Sequence, residues 1–513
     1  MPGSEKKGIL KKGAKLVKNL DRGHFSPLSL QKRTLQQLLR QAGNTAFGKH
    51  YDFPEINGSK DVIAAFQHTV PIHDYEKIFN EWWHHSLKGE KDIAWRGTVK
   101  YFGLSSGTTG AASKYIPITT DMTRAMRQTA FRLFACLPKY GLPASFYLKN
   151  WFMIGGSASL RPEGNCFVGD LSGINAKHPP IWIRPYFKPG IEIAHYKDWD
   201  QRILAIAQNA PKWDIGIVTG IPSWVQLSLE YIIDYHKLDT IHDIWPNLSV
   251  FVTGGTAFAP YKKSFEKLLA KPLIYQDSYL ASEGFVAYQA RPETSAMKMS
   301  LNSGIFFEFV PFNSENFDSE GNILPSAIAL HIDEVKEHQD YALLMSTCAG
   351  AWRYLIGDTV RFTDVERKEI IITGRTKHFL SICGEHLSID NMNQAIRKTE
   401  ELLDISIGEF TVSGVKSGSH FAHKWYIGSK NKIEAAHLTK ILDEQLMLVN
   451  DDYRAERNAM LQKPQMKIIP NELFMHWQRS IGKLNGQSKI PRVMKSDQFA
   501  EWESFVEKEM QSS

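Results

Sequence analysis

The fold of this chain is decided by the stretch from Tyr101 to Pro117, which reads Tyr-Phe-Gly-Leu-Ser-Ser-Gly-Thr-Thr-Gly-Ala-Ala-Ser-Lys-Tyr-Ile-Pro. Its middle alternates hydroxyl residues with glycines, and Lys114 follows. Glycines let successive backbone N–H groups point into one concavity, and the hydroxyls add donors, so such a loop suits an anion. The pattern predicts a loop that holds the phosphates of a nucleotide, although it lacks the G-x-x-x-x-G-K-[ST] spacing of a Walker A loop. The alternative is an ordinary Ser/Gly turn between two strands.

Length and composition indicate a large globular protein. The chain has 513 residues, enough for about two to four domains. Hydrophobic residues make up 43%, so a large core can be buried. The net charge of +6 is a small excess of 61 basic over 55 acidic residues. Since no compact Lys/Arg patch lies beside interleaved aromatics, we do not expect nucleic acid as a partner.

The cysteines and the apolar runs indicate the compartment. Four scattered cysteines without a C-x-x-C pair predict neither a zinc site nor a disulfide framework, and they favour a reduced cytoplasm. No run of about 18 apolar residues predicts a transmembrane segment. The Lys-rich residues 1–20 are typical of a basic amphipathic helix that contacts a membrane surface weakly, or of a solvated terminal helix packed on its domain.

The pattern of elements predicts an α/β fold. A helix capped by Thr119 or Thr120 follows the opening loop. Strands over 146–154, 214–219, 248–252 and 273–276 then alternate with helices, which is typical of a parallel sheet covered on both faces. Ligands of such sheets bind outside the carboxyl ends of the strands. Beyond residue 300, closely spaced strands predict an antiparallel sheet or a small β-barrel-like part.

A change of pattern near Gly374 predicts a domain boundary. We expect a large N-terminal domain over residues 1–374, a connecting segment over 375–388, and a smaller α+β domain over 389–513. Gly374-Arg-Thr-Lys, at the junction of the large domain and the connecting segment, interrupts the run of strands.

Two further stretches follow strands of the parallel part. Val252-Thr-Gly-Gly-Thr-Ala-Phe-Ala-Pro260 runs from a strand through two glycines towards a helix, where bare backbone lets a flat base approach. Tyr275-Gln-Asp-Ser-Tyr-Leu-Ala-Ser-Glu-Gly284 supplies hydroxyls and the carboxylate of Glu283, which could hold Mg²⁺ on nucleotide phosphates. The alternatives are a plain strand-to-helix turn and a surface Glu in a loop.

Two more stretches lie nearer the C-terminus. Asp358 follows Gly357 in a predicted turn between apolar strands, where its carboxylate could accept hydrogen bonds from both ribose hydroxyls. Lys489 lies in a short glycine-bounded loop from which it could bring a point charge to a phosphate. The alternatives are a functionless hairpin turn and a basic surface turn.

Together, in this order, these motifs resemble the adenylate-forming superfamily and, within it, the bacterial type of the Gretchen Hagen family of acyl-acid amido synthetases. The resemblance covers about residues 30–495. It rests on S-S-G-T-x-G at 105–110, V-T-G at 252–254 with Pro260, S-Y-x-x-S-E at 278–283, Tyr354 with Gly357-Asp358, and Q-x-K-x-P-R at 487–492.

The resemblance implies an ATP-dependent ligase. ATP and a carboxylic acid would give an acyl-adenylate and pyrophosphate, and an amine, usually an amino acid, would then give an amide and AMP. It implies that the residues around the phosphates, besides Lys114, are Ser105, Ser106 and Thr108. It implies that the residues lining the adenine and α-phosphate region are Thr253, Gly254, Gly255, Ser278 and Tyr279.

The resemblance also assigns single roles. Glu283 would carry Mg²⁺, Asp358 would hold the ribose, and Lys489 would reach the α-phosphate and the acyl oxygen from a mobile C-terminal domain. Arg375, which would also contact the nucleotide, and Lys377 lie at the expected hinge.

The acyl pocket is expected between the helix over 119–137 and the segment 278–291. One of three arginines, Arg124, Arg127 or Arg132, could anchor a carboxylate there; the alternative is that all three are surface charges.

Departures from the family pattern leave the substrates open. Ala-Ala-Ser-Lys stands where the wider superfamily has Pro-Lys-Gly, and a lysine that plant members place beyond the hinge is not evident. A plant hormone substrate therefore does not follow. The alternatives are an acyl-CoA or acyl-carrier ligase with a thiol acceptor, and a non-catalytic nucleotide-binding protein that associates with membranes through residues 1–20.

Overall fold

A computed structural model describes most of the chain. The described residues are 25–512 apart from 106–113, 156–159, 178–183, 197–198, 256–257, 259–260, 319–320, 377–378, 381–386, 418–419, 431–432, 451–452, 455–456, 458–460, 483–488 and 495. The predictions made for residues 1–20, for Ser106 and Thr108, and for Lys377 lie outside these residues, as does the prediction for the Ser105 side chain.

The strands, numbered along the chain, are β1 (Tyr101–Ser105), β2 (Lys114–Ile118), β3 (Asn150–Met153), β4 (Arg161–Glu163), β5 (Cys166–Gly169), β6 (Phe187–Lys188), β7 (Ile215–Gly220), β8 (Val250–Gly254), β9 (Ile274–Ala281), β10 (Gly284–Tyr288), β11 (Met297–Met299), β12 (Ile305–Pro311), β13 (Asp340–Thr347), β14 (Tyr354–Asp364), β15 (Glu369–Arg375), β16 (Phe379–Leu380), β17 (Leu387–Ser388), β18 (Ile407–Ser417), β19 (His420–Ser429) and β20 (Gln465–Ile469).

The helices, numbered in the same way, are α1 (Pro27–Ala42), α2 (Ala46–His50), α3 (Phe53–Gly58), α4 (Val62–Thr69), α5 (Tyr75–Ile78), α6 (His84–Leu87), α7 (Thr120–Cys136), α8 (Leu171–Lys177), α9 (Ile191–Ala194), α10 (Trp199–Asn209), α11 (Pro222–His236), α12 (Lys262–Glu266), α13 (Ile389–Leu403), α14 (Ala435–Val449), α15 (Glu472–Ser480) and α16 (Ser496–Ser512).

A mixed central sheet forms the scaffold of the large part. Among the described residues it has eleven strands in the order β12-β13-β14-β15-β11-β10-β9-β8-β7-β3-β6. The strands β6, β3, β7, β8 and β9 pair in parallel. From β9 the sheet continues with antiparallel neighbours in the order β10, β11, β15, β14, β13 and β12. The α/β fold class predicted from the sequence is confirmed. The antiparallel strands beyond residue 300 extend the same sheet that carries the parallel ones.

Helices cover both faces of this sheet because each strand of the parallel half buries side chains on both sides. One apolar cluster packs α1, α4 and α7 against the antiparallel strands, and a second packs α10 and α11 against the parallel ones. Thr119 caps α7 by accepting a hydrogen bond from the Met122 amide, as the sequence predicts. The predicted cap at Ser223 is wrong, because Pro222 already occupies the first turn of α11.

Two boundaries differ from the sequence prediction in ways that matter for the site. The predicted strand over 273–276 runs on to Ala281, so Ser278 and Tyr279 lie in β9. Asp358 lies within β14 and not in a turn between two strands. Gly357 has φ +90°, and the pairing of β13 with β14 shifts register near it. The glycine therefore forms a bulge in a continuous strand, where the sequence pattern predicted a hairpin.

The loop over 106–113 lies between β1 and β2, which pair antiparallel from Tyr101 opposite Ile118 to Ser105 opposite Lys114. Beside β1, β5 and β4 complete a separate sheet of four strands in the described residues. Lys114 is therefore held at the end of the loop by strand pairing.

The C-terminal part has its own apolar cores. The strands β18, β19 and β20 form a sheet, α13 and α14 pack on one cluster with it, and α15 and α16 pack on another. The domain limits at residues 374 and 389 stay a prediction. Within the described residues, no helix is both long and apolar enough to span a bilayer.

A buried ion pair of the central sheet is joined to α4 by a hydrogen bond from Gln67. Arg353 donates from Nε to both oxygens of Glu308 at 3.1 Å, and Gln67 donates to the same carboxylate at 3.0 Å. The side chains of Arg353 and Glu308 are 7% and 1% exposed. Their charges can be tolerated there only because each satisfies the other.

We expect Glu308→Ala to destabilise the protein by about 3–5 kcal/mol, because it leaves the Arg353 charge buried and unpaired. Urea denaturation followed by tryptophan fluorescence measures the loss. Glu266→Ala, which removes the exposed partner of Lys262, is the matched control and should cost less than about 1 kcal/mol. Equal losses of unfolding free energy in the two variants would contradict the interpretation of Glu308 as the buried partner of Arg353.

Candidate functional site

The site is organised around the carboxylate of Asp358 on β14. Tyr279 Oη donates to its Oδ2 at 2.5 Å, and Arg375 Nε lies 2.9 Å from its Oδ1. Arg375 also donates to the carbonyl of Ile356 at 3.0 Å. Burial, followed by the charge of Asp358, raises the pKa of Tyr279 far above its usual value. The phenol therefore stays protonated and remains a hydrogen-bond donor to the carboxylate.

Pairing in the sheet brings these residues together. Asp358 lies opposite Arg375 in the register of β14 and β15, and Asp358 is the largest cause of a raised pKa of Arg375. Tyr279 comes from β9, the strand at which the parallel half of the sheet passes to the antiparallel half. The site therefore lies where the two halves meet, beyond the carboxyl end of β8.

The end of β8 forms one wall of the site. Ser278 Oγ donates to the carbonyl of Thr253 at 2.9 Å, and a Cβ added to Gly254 would lie 2.8 Å from the Ser278 oxygens. Gly254 thus has no space for a side chain. Gly255 has φ +84°, which favours glycine. Thr253 is fully buried, and its Oγ1 has no hydrogen-bond partner among the described residues.

Glu283 lies in the turn between β9 and β10 and is only 6% exposed. Burial raises the pKa of Glu283, and Asp358 raises it further, whereas its own amide, Lys114 and Arg375 act in the opposite direction. The alternative of an ordinary surface Glu is therefore wrong. The turn also lies beside β1, because a Cβ on Gly103 would be 3.6 Å from Cβ of Ser282.

Lys489 reaches this site from the C-terminal part of the chain. Its Cε lies 3.6 Å from where a Cβ of Gly255 would be. The side chain keeps an exposed surface, yet the protein atoms around the ammonium lower the pKa of Lys489, while Asp358 raises it and Arg375 lowers it. Lys489 therefore lies against the glycine wall, close enough to Asp358 and Arg375 for their charges to act on it.

The structure thus brings together most of the described residues predicted for the site. The residues that line the end of β8 or belong to the charged cluster around Asp358 are Thr253, Gly254, Gly255, Ser278, Tyr279, Glu283, Asp358, Arg375 and Lys489. Lys114, which follows the opening loop, interacts electrostatically with Glu283 and so connects the loop to the same cluster. We therefore interpret the cluster as one site built from five separated segments.

The three candidate arginines of α7 separate into two groups. Arg124 is exposed and pairs with Asp121 at 3.1 Å, and Arg127 is exposed as well. Arg132 is buried and donates to Ser303 Oγ at 2.6 Å and to Ser300 Oγ at 3.2 Å. The helix itself packs on β10, and the acyl pocket expected between these segments stays a prediction.

One residue of the site carried no predicted role. Tyr354 is fully buried, and its hydroxyl has no hydrogen-bond partner in the described part of the chain. Burial raises the pKa of Tyr354, and the charges of Glu283 and Asp358 raise it further. Its place next to Gly357-Asp358 in the sequence motif was the available signal.

The donor set fits a nucleotide and a metal that is held jointly with it. The described residues contain no group of three or more His, Cys, Asp or Glu side chains able to hold a metal alone. Mg²⁺, however, is commonly bound by one or two carboxylates together with substrate phosphates, and Glu283 is a buried carboxylate near two cations. Thr253 Oγ1 is a buried hydroxyl without a hydrogen-bond partner among the described residues, and Gly254 and Gly255 leave the backbone beside it bare of side chains.

Family models match three stretches of the chain: the GH3 family N-terminal domain at residues 17–207, the GH3 family central domain at 298–371, and the GH3 family C-terminal domain at 390–498. Together they span more than half of the sequence.

Individual proteins of known sequence are also similar to this chain. Indole-3-acetic acid-amido synthetase GH3.4 of Arabidopsis thaliana is 22% identical over 94% of this chain and 91% of its own. Jasmonoyl–L-amino acid synthetase JAR4 of Nicotiana attenuata is 21% identical over 65% of this chain and 66% of its own.

Solved structures share the fold. AtGH3.15 acyl acid amido synthetase in complex with 2,4-DB matches with a TM-score of 0.77 at 18% identity, over 97% of this chain and 96% of its own. 2-Hydroxyisobutyryl-CoA ligase in the postadenylation state matches with a TM-score of 0.59 at 13% identity, over 94% of this chain and 92% of its own.

We expect Glu283→Gln to be more stable than the parent protein at pH 8 and equally stable near pH 4. The folded pKa of Glu283 is raised above the unfolded value of 4.5, so the carboxyl costs stability as the pH rises from that value through the folded pKa. Each unit of such a shift corresponds to about 1.4 kcal/mol. Glutamine does not ionise and avoids this cost.

Thermal unfolding of both proteins between pH 4 and pH 8 checks the expectation. Glu315→Gln, at an exposed position, is the matched control and should show no pH-dependent gain. A Glu283→Gln protein that gains nothing at pH 8 would mean that the carboxyl is not destabilising in the folded state.

Proposed function

Since this chain belongs to the GH3 family, we propose that it is an ATP-dependent acyl-acid amido synthetase, an AMP-forming carbon–nitrogen ligase. In the first step a carboxylate oxygen of the acid attacks the α-phosphorus of ATP, and pyrophosphate leaves. In the second step an amine, in our proposal an amino acid, attacks the acyl carbon, and AMP leaves with the former carboxylate oxygen. The amine loses a proton, and the products are an amide and AMP.

The observation that carries the proposal is the convergence of opposite charges beside Gly255. Negative oxygens must approach each other in the first step, so cations and donors must already be in place. Arg375 and Lys489 supply the cations: Arg375 pairs with Asp358, and Lys489 is near enough for Asp358 to act on its charge. Lys489 lies at the glycine wall, where we place the α-phosphate and the acyl oxygen.

The remaining groups have roles that their positions support. We place the adenine and the α-phosphate along Thr253, Gly254 and Gly255, with Ser278 and Tyr279 beside them. We place the ribose hydroxyls at Asp358, whose hydrogen bond from Tyr279 and pairing with Arg375 fix the carboxylate orientation. The β- and γ-phosphates would lie towards the loop with Ser105, Ser106 and Thr108, next to Lys114.

Glu283 is the residue that would hold Mg²⁺. The metal would neutralise charge on the phosphates when it is bound there. Burial raises the pKa of Glu283. A cation bound at this position would lower that pKa again and favour the ionised carboxylate.

The domain roles follow from the same arrangement. We propose that residues 1–374 form the adenylation domain, that 375–388 with Arg375 and Lys377 form the hinge, and that 389–513 form a mobile domain carrying Lys489. Rotation of that domain would withdraw Lys489 after the first step and admit the amine. A cytoplasmic location remains part of the proposal.

A screen of carboxylic acids for AMP and pyrophosphate release tests the proposal. Acids that support release are then offered amino acids and coenzyme A in parallel, and mass spectrometry identifies the product. We expect an amide. A thioester without an amide would establish the thiol-accepting ligase instead. Absence of release with every acid, together with liposome co-sedimentation that requires residues 1–20, would favour the non-catalytic alternative.

We expect Lys489→Ala to lower the rate of acid-dependent pyrophosphate exchange by roughly a hundred- to a thousandfold, because it removes a charge that faces the developing negative oxygens. ATP binding, measured by calorimetry, should remain nearly intact. Lys430→Ala removes an exposed lysine of the same part of the chain and should exchange pyrophosphate normally. A normal rate in Lys489→Ala would remove this lysine from the mechanism.

A further inference from the structure

A buried hydrogen-bonded cluster connects the large part of the chain to the C-terminal part. Tyr261 Oη, at the start of α12, donates to Glu409 Oε1 of β18 at 2.6 Å. Arg492 donates from Nη1 to Glu409 Oε2 at 2.7 Å and from Nη2 to Tyr261 Oη at 3.1 Å. The Arg492 guanidinium also lies 4.3 Å from the ring centre of Phe410. We call Tyr261, Glu409 and Arg492 the latch.

The latch is enclosed, whereas the ion pairs near it are not. Tyr261 is 5% exposed, and the side chains of Arg492 and Glu409 are 10% and 7% exposed. Burial raises the pKa of Tyr261, so its hydroxyl remains a donor. Each member satisfies the other two, and separation of the two parts would leave a phenol facing away from its charged partners.

Exposed ion pairs cross the same boundary. Lys263 lies 2.9 Å from Asp404, and Arg479 lies 2.9 Å from Asp200. Asp404 is 97% exposed, and both members of the second pair are more than half exposed. Exposed pairs of this kind contribute little to stability. Among the polar side-chain contacts between the two parts in the described residues, the latch is therefore the one best enclosed and best able to fix their relative orientation.

The sequence connects the latch directly to the site. Arg492 follows Lys489 by three residues, and Tyr261 follows Gly255 by six. The segment with Arg492 is also attached to β18, because Val412 N donates to the Arg492 carbonyl and Met494 N donates to the Val412 carbonyl, both at 2.9 Å. The latch thus fixes both sides of the gap in which Lys489 approaches Gly255.

We propose that Tyr261, Glu409 and Arg492 are positioning residues that hold the C-terminal part in the orientation that delivers Lys489 for adenylation. The inference rests on the proposed function for its role in the reaction, but the orientation itself can be tested without substrate. Opening of the latch would accompany the step to amide formation, for which Lys489 is not required in the site.

Tyr261→Phe is the sharpest variant, because it removes one hydroxyl and leaves the ring and the Glu409–Arg492 pair in place. We expect it to slow pyrophosphate exchange by about 10- to 100-fold, the effect of losing a hydrogen bond to a charged group. Amide formation from added acyl-adenylate should not slow. Arg492→Lys, which keeps the charge but loses the two-pronged contact, should behave in the same way.

A cross-linking assay measures the orientation directly. Asp200→Cys and Arg479→Cys are introduced together at the exposed pair, and a short bismaleimide joins them across the boundary. The parent with the two cysteines should cross-link efficiently, and addition of Tyr261→Phe should lower the yield. Lys263→Ala on the same background is the matched control for an exposed contact and should cross-link like the parent.

Three results would overturn the proposal: unchanged cross-linking in Tyr261→Phe, reduced cross-linking with normal pyrophosphate exchange, or equal losses in both half-reactions, which would indicate general damage. Thermal unfolding of each variant identifies such damage. If no acid supports turnover but cross-linking still falls, the proposed function fails while the latch as an orienting contact stands.

Discussion

The rest of the site depends on charge compensation around Asp358. The Asp358 carboxylate is fixed in a partly buried place by a tyrosine hydroxyl and an arginine, both within hydrogen-bond distance. A second carboxylate, on Glu283, lies close enough to oppose it, and the nearby cations offset only part of the cost. Two carboxylates close together, one buried and one partly buried, destabilise the fold. We therefore interpret them as part of a binding site for a ligand that brings both phosphates and a cation.

The central sheet makes this arrangement possible by changing direction at β9. Parallel strands end together, so β8 and β9 present Gly254 and Ser278 side by side, and no side chain separates them. In the antiparallel half, β14 pairs with β15, and this pairing sets Asp358 opposite Arg375. Neither half of the sheet contains the whole site. The position of the nucleotide site is therefore a consequence of the junction between the two halves, in agreement with the general rule for ligands of open α/β sheets.

Much of the fold could be predicted from the sequence, because hydrophobic periodicity and caps are local signals. Thr119 as the cap of α7 and the alternation of strands and helices belong to this class. The site residues were found through a family resemblance, since each motif alone was compatible with a turn. Asp358 was misplaced in a turn because Gly-Asp is a common turn pair, and the register shift that keeps β14 continuous is set by its partner strand. Glu409 could not be found, because its partners are 148 and 83 residues away.

The separation of Lys489 from the other charged groups has a physical reason. A fixed lysine beside Gly255 would serve the first step, but in the second step it would occupy space and hold charge next to a leaving AMP. A lysine on a separate part of the chain can be removed, provided that the part has a defined position when it is needed. Exposed ion pairs cannot define that position, since they are weak and screened by salt. A buried cluster such as Tyr261, Glu409 and Arg492 can, because it is fully satisfied only at one relative orientation of the two parts.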